Sequence, residues 1–101
     1  MRIDYKDNGL RKVCTDIRKA EKKHGVLMAE KIHMRVDQIS AASSVEELIL
    51  RRVGRCHPLT GDRQGQYAMD LAHPKRLVFT KALGEEQEEQ MVIIQEIVDY
   101  H

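Results

Sequence analysis

Asp99, Tyr100 and His101 can each hold charge or exchange a proton, and they follow directly on the apolar run of Val92, Ile93, Ile94, Ile97 and Val98. Upstream, His57, Arg63 and Arg76 fall beside turn-forming glycines and a proline. Cyclising or hydrolysing a phosphodiester has three requirements. A base takes a proton from the nucleophile, an acid gives one to the leaving oxygen, and fixed positive charge meets the charge that develops on phosphorus. Histidine, with an ordinary pKa near ~6.5, serves in either proton role near neutral pH. The planar fork of Arg76 is shaped to grip two phosphate oxygens, and Tyr100 can stack on a base or donate a proton. These residue types suit phosphodiester chemistry, with the tip at 99–101 as one wall of a site and positive charge opposite it. Five histidines in 101 residues also produce pairs by chance. On these residues alone, an anion-binding module stands ahead of an enzyme.

The elements that must position them follow from periodicity. Residues 1–5 alternate around Ile3 and predict a short first strand. Asp7 and Asn8 can cap a helix starting near Gly9, with Leu10, Val13, Ile17 and Ala20 at helical spacing and His24-Gly25 as its stop. Leu27, Met28, Ile32, Val36 and Ile39 form the stripe of a second helix, and the short connection implies an antiparallel helical hairpin. Met28 and Met34 are expected as core filler, and His33 and Lys31 as exposed. Ser44 and Glu47 make a capping box ahead of a short helix or turn. Gly61, Asp62 and Gly65 mark a turn before a strand over 66–71, with Tyr67, Met69 and Leu71 on one face. His73-Pro74-Lys75 turns the chain into a returning strand over 76–80. An acidic connection over 82–90, mobile or weakly helical, leads to the final strand, which reads as buried and central. The predicted fold is α+β: a two-helix hairpin packed on a small, twisted, mostly antiparallel sheet. Residues 1–101 form one domain, without internal repeat or linker.

Net charge is +1, but its distribution is uneven. Residues 51–81 carry seven Lys/Arg against Asp62 and Asp70, whereas 82–101 carry six acids and no Lys or Arg. A basic middle suggests an anionic partner, although for charge alone a solvated basic surface is the better account. No apolar run approaches the roughly 20 residues of a membrane helix, and the N-terminal residues show no signal-peptide pattern. Cys14 and Cys56 are too few for a disulfide framework, and reduced thiols in a cytoplasm are expected. Cys56, His57, His73 and His101 match no zinc spacing, so no metal or other cofactor is expected. Asp70 is expected to be exposed or bonded rather than catalytic.

His57-Pro58-Leu59, Gly61-Asp62 and Gly65, followed by Tyr67, His73-Pro74, Arg76-Leu77, Phe79 and the end Asp99-Tyr100-His101, resemble the RelE/ParE superfamily of toxins. In particular they resemble the HigB-type branch of bacterial type II toxin–antitoxin pairs. The resemblance covers the last half of the chain by motif and the helical hairpin by arrangement only. It implies a microbial RNase-like fold and a ribosome-dependent endoribonuclease that cuts messenger by attack of the RNA's own 2′-hydroxyl. It further implies His57 and His101 as proton-transfer residues, Arg76 on the phosphate, and Asp99 and Tyr100 as orienting or stacking residues. Arg55, Arg63 and Lys75 would contact RNA. No metal would be needed. The implied partners are a helix-turn-helix antitoxin, the ribosome with its messenger, and operator DNA through the antitoxin complex. One departure is Thr60, where many HigB-type chains carry Lys; the missing charge would fall to Arg76, with Arg63 as a possible substitute. Two alternatives remain open: a ParE-like inhibitor of a protein target such as DNA gyrase, and a catalytically silent partner of the antitoxin on operator DNA.

Overall fold

The computed structural model describes residues 1–84 and 89–99. Its elements run β1 (Arg2–Tyr5), α1 (Asn8–Thr15), α2 (Ile17–His24), α3 (Val26–Ala41), α4 (Val45–Leu50), β2 (His57–Pro58), β3 (Gln66–Asp70), β4 (Lys75–Leu83) and β5 (Gln90–Asp99). The strands form one sheet in the order β1-β5-β4-β3-β2. All neighbours are antiparallel except β1, which lies parallel to β5. The α+β class and the mostly antiparallel sheet expected from the sequence are both present. Of the expected connection over 82–90, Ala82 and Leu83 instead continue β4 and Gln90 opens β5, while 85–88, like Tyr100 and His101, lie outside the described residues.

The first helix departs from its expected continuous form. Asp16 takes an extended conformation and its carboxylate accepts from the Arg18 and Lys19 amides, ending α1 and capping α2. Thr15 adds a hydroxyl bond to the Arg11 carbonyl. Short polar side chains compete with the helical ladder in this way. The break turns Ile17 out of the expected apolar stripe, leaving it 39% exposed. Leu27 also leaves its expected stripe and is exposed, while Met28, Ala29, Ile32 and Ile39 carry the packing face of α3. His33 is half-buried rather than exposed, with its Nε2 2.9 Å from the Val13 carbonyl. The Ser44 cap forms as expected, with the Glu47 amide donating to Ser44 Oγ at 3.1 Å, but the Glu47 carboxylate reaches back to the Ser43 amide.

The helices cover one face of the sheet. Met69, Leu77, Phe79, Val92 and Ile94 point into this core against Ala20, Ile32, Ile39, Val45 and Leu48. On β5 a bulge intervenes: Val78 pairs with Glu96 and Phe79 with Ile94, which leaves Gln95 unpaired. Strict alternation from Val92 and Ile94 would drive Glu96 into the helical core. The extra residue resets the alternation, so Ile97 packs on the core and Glu96 turns to the opposite, open face.

Cys14 and Cys56 are buried, and burial pushes both thiols up to about 11. The folded chain therefore holds these protons more tightly than the unfolded chain, whose thiols titrate near ~8.5. Their contribution to stability is complete below that value and is lost as pH rises toward the folded values. Denaturation midpoints measured between pH 8 and 11 should fall with pH, and replacing both cysteines by alanine should flatten that slope.

Candidate active site

The open face of the sheet gathers the upstream residues singled out in the sequence. His57 on β2 pairs with Ala68, Ala68 pairs with Val78 and Val78 with Glu96, so one row crosses four strands. The next row runs Asp70, Arg76, Val98. Side chains on successive strands of such a row stand about 5 Å apart, and rows on one face about 7 Å apart. His57 and Arg76 thus become neighbours because strand register places them so.

His57 Nδ1 lies 2.8 Å from the Arg55 carbonyl. A carbonyl only accepts, so Nδ1 carries the hydrogen and the neutral ring presents its lone pair at Nε2. That nitrogen faces Arg76 Nη1 at 3.4 Å. Arg76 Nε in turn forms an ion pair with Asp70 Oδ1 at 3.3 Å, and Arg55 Nε donates to Asp70 Oδ2. Asp70 also receives Arg35 Nε on its backbone carbonyl at 2.7 Å. Burial lowers the Arg35 pKa, and the Asp70 carboxylate opposes that shift.

The turn carrying Arg55 is tightly wound. Arg52, Gly54 and Arg55 all adopt left-handed φ, at 54°, 57° and 53°. Such conformations are uncommon in non-glycine residues and concentrate where the surrounding structure needs them. Here the turn brings the Arg55 carbonyl under His57 and the Arg55 guanidinium onto Asp70. A Cβ at Gly54 would stand 2.7 Å from Arg35 Nε, the atom that holds the Asp70 carbonyl. Gly54→Ala should therefore cost about 1–3 kcal/mol, combining left-handed strain with displacement of Arg35, as read from urea denaturation.

The other expected residues divide. Arg63 reaches over the open face to Glu96 at 2.9 Å and to Gln66 at 3.1 Å. It lines a hollow of about 230 Å³ together with Leu59, Ala68, Arg76, Val78, Val98 and Asp99. Lys75 is paired with Asp99 at 3.0 Å at the end of β5. Tyr100 and His101 lie outside the described residues. Thr60 is exposed on the loop that carries Arg63. Sequence reasoning passed over Asp70 and Glu96 as site residues, although both had a signal. Asp70 alternates with Tyr67 and Met69 and shares the Ala68 face, and Glu96 is the one acid within residues 91–98, where only Gln95 is also polar. The expectation that Asp70 would be bonded is met by its two arginine partners.

The helical layer on one face of a five-stranded sheet is a fold that solved toxin structures share. Among solved structures the chain is similar to the YoeB/ParE toxin from Agrobacterium tumefaciens, at TM-score 0.67 and 14% identity over 100% of both chains. It is similar to YoeB in the YoeB dimer from Staphylococcus aureus, at TM-score 0.63 and 19% identity, covering 100% of this chain and 97% of that one. The YoeB–YefM complex from the same organism gives TM-score 0.62 and 19% identity at the same coverage. At these identities the likeness establishes a shared fold. No protein-family model matches the chain, and neither does any curated protein sequence. Among the described residues no helix is long and apolar enough to cross a membrane.

Proposed function

We propose that this chain is the toxin of a type II toxin–antitoxin pair, of the HigB-like branch, and acts in the cytoplasm as a ribosome-dependent mRNA endonuclease. The observation that carries this reading is the His57 Nε2 lone pair held 3.4 Å from Arg76 Nη1 on the open face of a toxin fold. A 2′-hydroxyl delivered there loses its proton to His57, and its oxygen attacks the adjacent phosphorus. The Arg76 guanidinium meets the charge that develops on the phosphate oxygens, and His101 returns a proton to the departing 5′-oxygen. The products are a cyclic phosphate and a free 5′-hydroxyl. Asp99 and Tyr100 orient or stack on the nucleotide, and Arg55, Arg63 and Lys75 meet the RNA backbone. The carboxylates now paired with those three cations, Asp70, Glu96 and Asp99, are partners that RNA phosphates can replace. A helix-turn-helix antitoxin is the partner that holds the toxin in check and carries it to operator DNA; YoeB is seen with YefM in the Staphylococcus aureus complex.

The test is to add purified chain to ribosomes programmed with a defined messenger and to map the cuts. Wild type should cut within the messenger, and the double variant His57→Ala, His101→Ala should not. Intact messenger with wild type, or cutting that persists in the double variant, overturns the reading. Growth inhibition that survives both substitutions without RNA cleavage would instead mark a ParE-like inhibitor of a protein target such as DNA gyrase.

A further inference from the structure

Asp70 ends β3 at the point where arginines from three different elements converge. Arg35 comes from α3 to its carbonyl, Arg55 from the turn before β2 to Oδ2, and Arg76 from β4 to Oδ1. Asp70 and Arg76 are direct cross-strand partners, so both side chains rise from the same face and their contact is built into the register. The contact is also shielded: the Arg76 side chain is 14% exposed and that of Asp70 26%. Exposed ion pairs are screened and hold no fixed geometry, whereas a shielded one can.

Asp70 engages Arg76 through Nε, at the root of the guanidinium, while Nη1 at the tip lies against His57. A free arginine side chain has rotamer freedom to lose when it grips a phosphate. Anchoring it at Nε removes that freedom before substrate arrives and aims the tip.

We propose that Asp70 is a positioning residue of this site: its carboxylate holds Arg76 by Nε so that the guanidinium tip stays beside His57, where a phosphate is presented. The proposal rests on the phosphodiester reading of His57 and Arg76 and assigns to Asp70 a role in that chemistry. Its consequences can be separated from those of charge. Neutralising Asp70 makes the site more positive, so electrostatics alone predicts equal or tighter binding of an anionic substrate. Loss of aim predicts slower reaction.

The test compares wild type, Asp70→Asn, Arg76→Ala and the double variant in ribosome-dependent cleavage. In Asp70→Asn, kcat should fall by about ten- to a hundredfold while KM holds or falls. The double variant should be no slower than Arg76→Ala alone, because Asp70 acts through Arg76. An unchanged kcat in Asp70→Asn, or a loss that adds in full to that of Arg76→Ala, overturns the proposal. A second readout needs no cleavage: the Arg76 Nε–H resonance should exchange slowly with water in wild type and quickly in Asp70→Asn. If wild type cuts no RNA, the nuclease reading fails by itself and this resonance scores the clamp. Slow exchange lost in the variant supports the clamp, and equal exchange in both proteins overturns it.

Discussion

Arg76→Ala should lower RNA cleavage by about 10²- to 10³-fold, the effect of removing one preorganised charge from a developing oxyanion. The mechanism is local. Arg76 brings the positive charge that faces His57 Nε2, whereas Arg63, which lines the same hollow, is paired with Glu96. Arg76→Lys should restore only part of the rate, because an ammonium keeps the charge but not the planar fork that spans Asp70 and His57. Folding should survive, since the side chain lies on the open face and contributes nothing to the helical core. Single-turnover cleavage and a thermal melt of the same preparations separate the two outcomes. An Arg76→Ala chain that cuts at the wild-type rate would remove Arg76 from the mechanism.

Phe79→Ala should cost about 3–5 kcal/mol, the usual range for emptying a large aromatic from a tight core. Phe79 is the only phenylalanine in the chain and is fully buried on the central strand β4. Its ring stacks on Tyr67 at 5.7 Å, and its backbone pairs with Ile94 at the bulge. The site residues Arg76 and Val78 rise from the opposite face of the same strand. A domain with roughly 5–15 kcal/mol in total loses much of its margin, so cleavage at 37 °C should fail by unfolding rather than by altered chemistry. Phe79→Leu, which keeps most of the volume, should recover most of the stability. Urea denaturation of both variants measures the difference, and a loss under 1 kcal/mol in Phe79→Ala would show the core to be far looser than its burial indicates.

Much of this was legible in residue order. The alternation in 66–71, the turn at 73–75 and the apolar run after 91 placed β3, β4 and β5 and the β3–β4 hairpin; the register that joins Asp70 to Arg76 came from the structure. The motif residues His57 and Arg76 proved to be neighbours. The helix break at Asp16 was less legible: Val13, Ile17 and Ala20 continue a helical stripe across it, and the local hydrogen bonds of Thr15 and Asp16 outcompete that periodicity. The reach of Arg35 from α3 to the Asp70 carbonyl had no sequence signal, because nothing in helical spacing says what a polar residue meets across a layer.

By itself the sequence determined the α+β class and placed β1, α3, β3, β4 and β5 to within a few residues, since apolar spacing and capping residues act within a few positions of one another. It also determined which residue types were available for proton transfer and phosphate binding. Only the tertiary structure decided which face each one occupies. The bulge at Gln95 inverts the alternation of β5, sending Ile97 into the core and Glu96 to Arg63. The left-handed turn at Arg52 to Arg55 sets the His57 tautomer and brings Arg55 to the carboxylate shared with Arg76. The bulge and the Arg55–Asp70 contact depend on segments far apart in the chain, and local periodicity carries no record of them.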